Sequence, residues 1–110
     1  MTEAKTPRQF FEEILPKRFK PEKAKDIDVT VQIMITGSEL GEWIVVIKNQ
    51  NLEVREGRHP SPTLTLEMAK DDYMDLINGR IRGEKAFLLG KLKFRGNIGL
   101  ALKLKETGFL

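Results

Sequence analysis

Apolar residues fall at helical spacing near the start of the chain, alternate through its middle, and return to helical spacing toward its end. Phe10, Phe11, Ile14 and Leu15 make the first stripe. Thr6-Pro7-Arg8-Gln9 ahead of it reads as a capping box, with Thr6 as N-cap, Pro7 at the first helical position and Gln9 reaching back. Pro16 ends or kinks that helix, because proline lacks the N–H and its ring crowds the preceding turn. Residues 17 to 26 are basic and irregular, with Phe19 as an apolar anchor.

Three strands follow. Ile27 to Thr36 carries Ile27, Val29, Val31, Ile33 and Ile35 on one face; Glu42 to Lys48 carries Trp43, Val45 and Ile47; Leu52 to Arg55 is the third. Gly37-Ser38-Glu39-Leu40-Gly41 and Asn49-Gln50-Asn51 are the turns, so the pattern predicts an antiparallel meander. Ile44 and Val46 make the second strand apolar on its other face too, as suits a central strand covered on both sides.

After a loop at residues 57 to 62, Thr63 to Glu67 predicts a fourth strand. Asp71 and Asp72 then open a helix that turns Tyr73, Met74, Leu76 and Ile77 inward and stops at Asn78-Gly79. A short helix holds Ala86, Phe87 and Leu88, with Phe87 expected inward, and Lys91 to Arg95 supplies a fifth strand, with Phe94 also inward. The last segment alternates like a strand at Leu100, Leu102 and Leu104, but Asn97 is a good N-cap, and as a helix residues 98 to 104 present a wide apolar arc. An arc that wide calls for cover on more than one side.

Composition bounds the function. With 110 residues, 40% hydrophobic and 32% charged, the chain is expected to form one domain, residues 1 to 110. Without cysteine there is no disulfide, no thiolate metal site and no catalytic thiol. No apolar run reaches the roughly 20 residues that span a bilayer. Met1 to Lys5 lacks the layout of a signal peptide, and Gly108-Phe109-Leu110 is no peroxisomal address, so the cytoplasm is the expected compartment. The net charge of +3 is uneven: residues 26 to 79 hold four Lys/Arg against ten Asp/Glu, and residues 80 to 110 hold eight against two. Arg80, Arg82, Lys91, Lys93 and Arg95 are therefore candidates for an anionic membrane surface. A nucleic-acid reading of the same region lacks stacking aromatics on its charged face.

Trp43 to Asn49, Thr63 to Leu66, the Tyr73 to Gly79 helix, Ala86-Phe87, Gly90-Lys91-Leu92-Lys93, Gly96-Asn97 and Gly99-Leu100-Ala101 with Lys103-Leu104 occur in an order that resembles the sterol carrier protein type 2 family, over roughly residues 27 to 105. Ala69 in place of a capping Ser, Gln50 in place of Gly, and a missing Pro after Gly79 depart from its pattern in caps and turns. The resemblance implies an α+β fold: a single-layer, five-stranded, mixed and mostly antiparallel sheet, covered by helices that enclose an apolar tunnel closed by the C-terminal helix. It implies a non-enzymatic lipid binder without cofactor, for a fatty acid, acyl-CoA, sterol or other apolar lipid, acting freely or as a lipid-presenting subunit of a lipid- or isoprenoid-metabolising enzyme. The candidate lipid-lining set is Ile33, Trp43, Val45, Tyr73, Ile77, Phe87, Leu88, Phe94, Ile98 and Leu102.

Other chemistry is thinly supported. His59 is the only histidine, and Ser61 is too close in sequence to form a nucleophile–base pair with it. Asp71, Asp72 and Asp75 suit the helix dipole and lack a cation-binding loop, so no metal is expected.

Overall fold

The computed structural model describes residues 3–37 and 41–107, so part of the turn expected after Gly37, and Gly108 to Leu110, lie outside the described residues. β1 (Val29–Thr36), β2 (Glu42–Lys48) and β3 (Asn51–Glu56) form the expected antiparallel meander. β4 (Leu64–Ala69) joins β1 in parallel, and β5 (Lys93–Arg95) pairs antiparallel with β4, giving the order β3-β2-β1-β4-β5.

Register follows the hydrophobic alternation. Val31 and Ile33 pair with Val45 and Trp43 on one side and with Leu64 and Leu66 on the other, so every inward residue meets an inward residue. The helices cover this face. The opposite face is crossed by the segment leaving β3: the Gln32 amide donates to the carbonyls of Trp43 (3.2 Å) and Gly57 (3.0 Å) and accepts from the N–H of His59 (2.7 Å). That crossing carries the chain from one side of the sheet to the other and explains why β4 is parallel to β1. It also accounts for Gln32 and its pair partner Ile44, both buried on the face that alternation marks as outward.

At the N-terminus the Thr6 hydroxyl accepts from the Gln9 N–H at 3.0 Å, while the Gln9 side chain accepts from the Lys5 N–H at 2.8 Å, one residue earlier than an ideal capping box. Pro16 neither ends nor breaks the helix. Helical structure runs from α1 (Pro7–Gln9) through a π-helical turn (Phe10–Ile14) into α2 (Leu15–Arg18), and the Leu15 N–H reaches back five residues to Phe10. The widened turn accommodates a proline that cannot donate to the carbonyl four residues before it.

α3 (Lys70–Ile77) starts without a side-chain cap at Ala69 and stops at Gly79, whose φ is +77°. α4 (Gly83–Leu88) follows, and α5 (Ile98–Glu106) is capped by the Asn97 side chain on the Leu100 N–H. β5 is two residues shorter than its alternation predicts, because the N–H groups of Lys91 and Leu92 both donate to the Ala86 carbonyl and close α4 instead of extending the sheet. The hairpin turn places Asn49 and Gln50 at φ +52° and +62°, and the Gln50 amide donates to the Pro21 carbonyl, which helps hold a glutamine where glycine is easier.

Candidate functional site

The space between sheet and helices is filled by rings. Phe11 lies between Trp43 and Tyr73, stacked on both: centroids are 4.8 Å apart with an interplanar angle of 20° to Trp43, and 5.9 Å apart at 17° to Tyr73. Phe10 meets Phe11 and Tyr73 edge-on. All four side chains are buried, since Phe10 and Phe11 sit on the inward side of the π-helical turn and Trp43 and Tyr73 face them from β2 and α3. The Tyr73 hydroxyl is buried here and hydrogen-bonds nothing among the described residues. Burial pushes its pKa far above the ordinary tyrosine value, against a smaller opposing pull from the Arg18 guanidinium, so it keeps its proton. An unsatisfied buried hydroxyl costs about 1–3 kcal/mol.

On the outer side of the same stack lies a groove of about 450 Å³, walled by Phe11, Pro16, Trp43, Leu52 and Val54, with Glu12, Arg55 and Glu56 at its polar rim. Arg8 bridges Glu12 (2.7 Å) and Glu56 (2.6 Å), tying the N-terminal helix to the end of β3, with its guanidinium 5.7 Å from the Trp43 ring. These pairs are half-exposed, so they orient the helix more than they stabilise it.

A second feature lies on α4 and α5. On α5 Leu104 is fully buried, Leu100 and Ala101 are half-buried, and Ile98 and Leu102 are 58% and 54% exposed. The apolar arc is as wide as the spacing predicts, but among the described residues it is covered mainly on the Leu104 side. On α4, Ala86 is buried, whereas Phe87 and Leu88 are 46% and 82% exposed and Leu89, just beyond, 57%. The inward placement expected for Phe87 is therefore corrected: a helix of six residues that seats Ala86 in the core turns the next side chain about 100° away from it. Lys105 pairs with Glu84, linking the C-terminal part of α5 to the start of α4.

The candidate lipid-lining residues thus divide. Ile33, Trp43, Val45, Tyr73 and Ile77 are core, Phe94 is half-buried against it, and Phe87, Leu88, Ile98 and Leu102 lie at the surface. The candidate basic residues divide as well. Arg80 pairs with Glu3 and Asp75, Lys91 with Asp72 and Lys93 with Glu67, while Arg82 and Arg95 have no ion pair among the described residues. Lys93 and Arg95 register with Glu67 and Thr65, on the sheet face away from the helices, so the five do not form one patch. His59 accepts the Ser61 backbone N–H at Nδ1 (3.0 Å), a local turn contact that leaves the Ser61 hydroxyl out. The sequence pattern did not single out Phe11, Leu52 and Val54 as groove residues, because Phe11 reads as one member of the helix stripe and Leu52 and Val54 as residues of a short strand.

Residues 11–107 match the SCP-2 sterol transfer family, nearly the whole described sheet-and-helix unit. The chain belongs to this family. It is 30% identical over 95 residues to hydroxysteroid dehydrogenase-like protein 2 from Mus musculus, covering 84% of this chain and 19% of that protein. It is 36% identical over 70 residues to sterol carrier protein 2 from Homo sapiens, covering 64% of this chain and 13% of that one. Among solved structures, palmitated SCP2L2 from Aedes aegypti superposes with a TM-score of 0.69 at 28% identity, covering 89% of this chain and 90% of that one. The sterol-transfer fold therefore accounts for the mixed sheet, the one-sided helical layer and the terminal helix. The chain spans about a fifth of the length of the dehydrogenase-like relatives it matches.

Proposed function

We propose that this chain binds an apolar lipid between its sheet and helices and exchanges it at an anionic membrane surface, without catalysis. The observation that carries the reading is α5: part of its apolar arc, at Ile98 and Leu102, is more than half exposed among the described residues, although the helix is anchored through Leu104. In a lipid carrier such a helix covers an acyl chain on one side and meets membrane on the other. Burial of a chain contributes about 0.8 kcal/mol per CH₂, enough for micromolar binding with little selectivity among fatty acids, acyl-CoAs and sterols. Ile33, Trp43, Val45, Tyr73, Ile77 and Phe94 form the inner wall in this reading; Phe87, Leu88, Ile98 and Leu102 form the membrane-facing lid. The palmitate named for the Aedes aegypti relative supports a single acyl chain as ligand.

The membrane contact rests on charge beside these exposed side chains. Arg82, Lys85 and Lys103 have no ion pair among the described residues and lie on α4, its N-cap and α5. Each basic residue near an anionic surface contributes about 1 kcal/mol. A second reading, a lipid-presenting module within or beside an enzyme, is favoured by the dehydrogenase-like relatives, of which this chain matches only 19–21% in length.

Transfer of a fluorescent fatty acid between vesicles tests the proposal. The protein should accelerate transfer from anionic donors, the acceleration should fall as salt rises, and Arg82→Glu should reduce it. Transfer no faster with protein than without contradicts the carrier reading; equal acceleration from neutral and anionic donors contradicts the electrostatic contact.

A further inference from the structure

Phe11 lines the groove beside the N-terminal helix, and its ring stacks on that of Tyr73, whose buried hydroxyl has no hydrogen-bond partner among the described residues. From the groove inward the walls are apolar: Leu52 and Val54 from β3, Pro16 from α2, then Phe11 and Trp43. Its volume of about 450 Å³ falls in the range of small-molecule pockets, roughly 300–1,000 Å³. The next ring in the stack behind Phe11, Tyr73, carries a buried donor that is unpaired among the described residues.

Given the lipid-carrier reading, on which this rests, we infer that the groove between the N-terminal helix and β3 is a second opening to the lipid site, distinct from the α4–α5 lid, that Phe11 swings aside to open it, and that the Tyr73 hydroxyl donates a hydrogen bond to the lipid's polar oxygen.

Phe11 is placed to move. It sits in the π-helical turn, where the regular helical hydrogen bonding is interrupted, and such turns recur at functional sites. Displacing its ring vacates aromatic contacts with Trp43 and Tyr73 that an acyl chain replaces with contacts of the same kind. The ligand class follows from the donor: an amphipathic lipid with a carboxylate, carbonyl or hydroxyl oxygen at one end. Because burial pushes its pKa upward, the Tyr73 hydroxyl keeps its proton across the physiological range and stays able to donate. A buried donor left unpaired also sets a preference, since an oxygen-free chain fills the space and leaves the hydroxyl as it was.

Trp43 is the only tryptophan and stacks on Phe11, so its emission reports the movement directly. The test titrates the full chain and Tyr73→Phe with palmitic acid and with a pyrene-tagged alkane lacking oxygen, following Trp43 fluorescence and, separately, the lipid-free melting temperature. Expected are a Trp43 emission change on saturable binding, about five- to tenfold weaker palmitate binding by Tyr73→Phe, and less than a twofold change for the alkane. The lipid-free variant should melt no lower than the parent, because the substitution removes an unsatisfied group. Equal palmitate affinity in the two proteins overturns the anchor. Equal affinity with a lower melting temperature assigns the hydroxyl to bound water and overturns it as well. Saturable binding that leaves Trp43 emission unchanged overturns the second opening. Failure of the parent protein to bind either probe instead defeats the carrier reading beneath the inference.

Discussion

Leu104→Ala is expected to lower the unfolding free energy of the lipid-free protein by about 2–5 kcal/mol, while Leu102→Ala, on the same helix, lowers it by about 0.5 kcal/mol or less. Leu104 is 2% exposed, among the fully buried side chains, and anchors α5 to the core, so truncation leaves a cavity that the surrounding packing cannot close. Leu102 is more than half exposed and loses few contacts. If α5 carries the membrane-facing lid, Leu102→Ala slows fatty-acid transfer from anionic vesicles by more than it lowers stability. Urea unfolding of both lipid-free variants, paired with the vesicle transfer assay, measures this. A full core penalty at Leu102 with unchanged transfer would show a helix packed as ordinary core.

Gly96→Ala is expected to lower stability by about 2–4 kcal/mol. Gly96 has φ +122°, a conformation that L side chains rarely adopt, and a Cβ there would stand 2.6 Å from Leu64 Cδ2 and 2.8 Å from the Thr63 carbonyl oxygen. The leucine tip can give way; the β4 backbone cannot without disturbing its parallel pairing with β1. Because Gly96 joins β5 to the Asn97 cap, relief of the clash displaces α5, so lipid binding should weaken together with stability. Denaturant unfolding decides it, and a loss below about 0.5 kcal/mol contradicts the close approach.

Much of this fold is legible in the sequence because period and partner agree. The alternation of β1 and β2 fixes both the strands and their register, since a slip of one residue would turn Val31, Ile33, Val45 and Trp43 away from the helices. The Thr6 and Asn97 caps are readable because side-chain oxygens at those positions have nearby backbone N–H groups to satisfy. What local pattern could not supply came from tertiary contacts. Gln32 reads as an exposed polar residue, and only the chain crossing above it provides the three partners that allow its burial. Pro16 reads as a helix end or a kink, and the π-helical turn that absorbs it seats Phe10 and Phe11 together in the core. The apolar arc of α5 was visible in the spacing; which half of it would remain uncovered was not, because that is set by how Leu104 docks.

For the candidate site, the same distinction holds. Trp43 and Tyr73 stand out as large apolar residues at inward positions, but the ring between them, Phe11, is indistinguishable in sequence from any other helix stripe residue. Nor does sequence reveal that the Tyr73 hydroxyl goes unpaired among the described residues, since that depends on its spatial neighbours. The basic residues illustrate the opposite error: their clustering in the chain suggests one patch, and the strand turns Lys93 and Arg95 to the face away from α4 and α5.

The central claim is that this domain holds one apolar lipid, and the most direct measurement is an equilibrium titration of the delipidated protein with a fluorescent long-chain fatty acid, followed by competition. The account predicts saturation at one-to-one stoichiometry, displacement by unlabelled fatty acids, acyl-CoAs or sterols, and stabilisation against unfolding of about 2.7 kcal/mol at a ligand concentration one hundred times Kd. Binding that never saturates, or that no apolar lipid displaces, would contradict it.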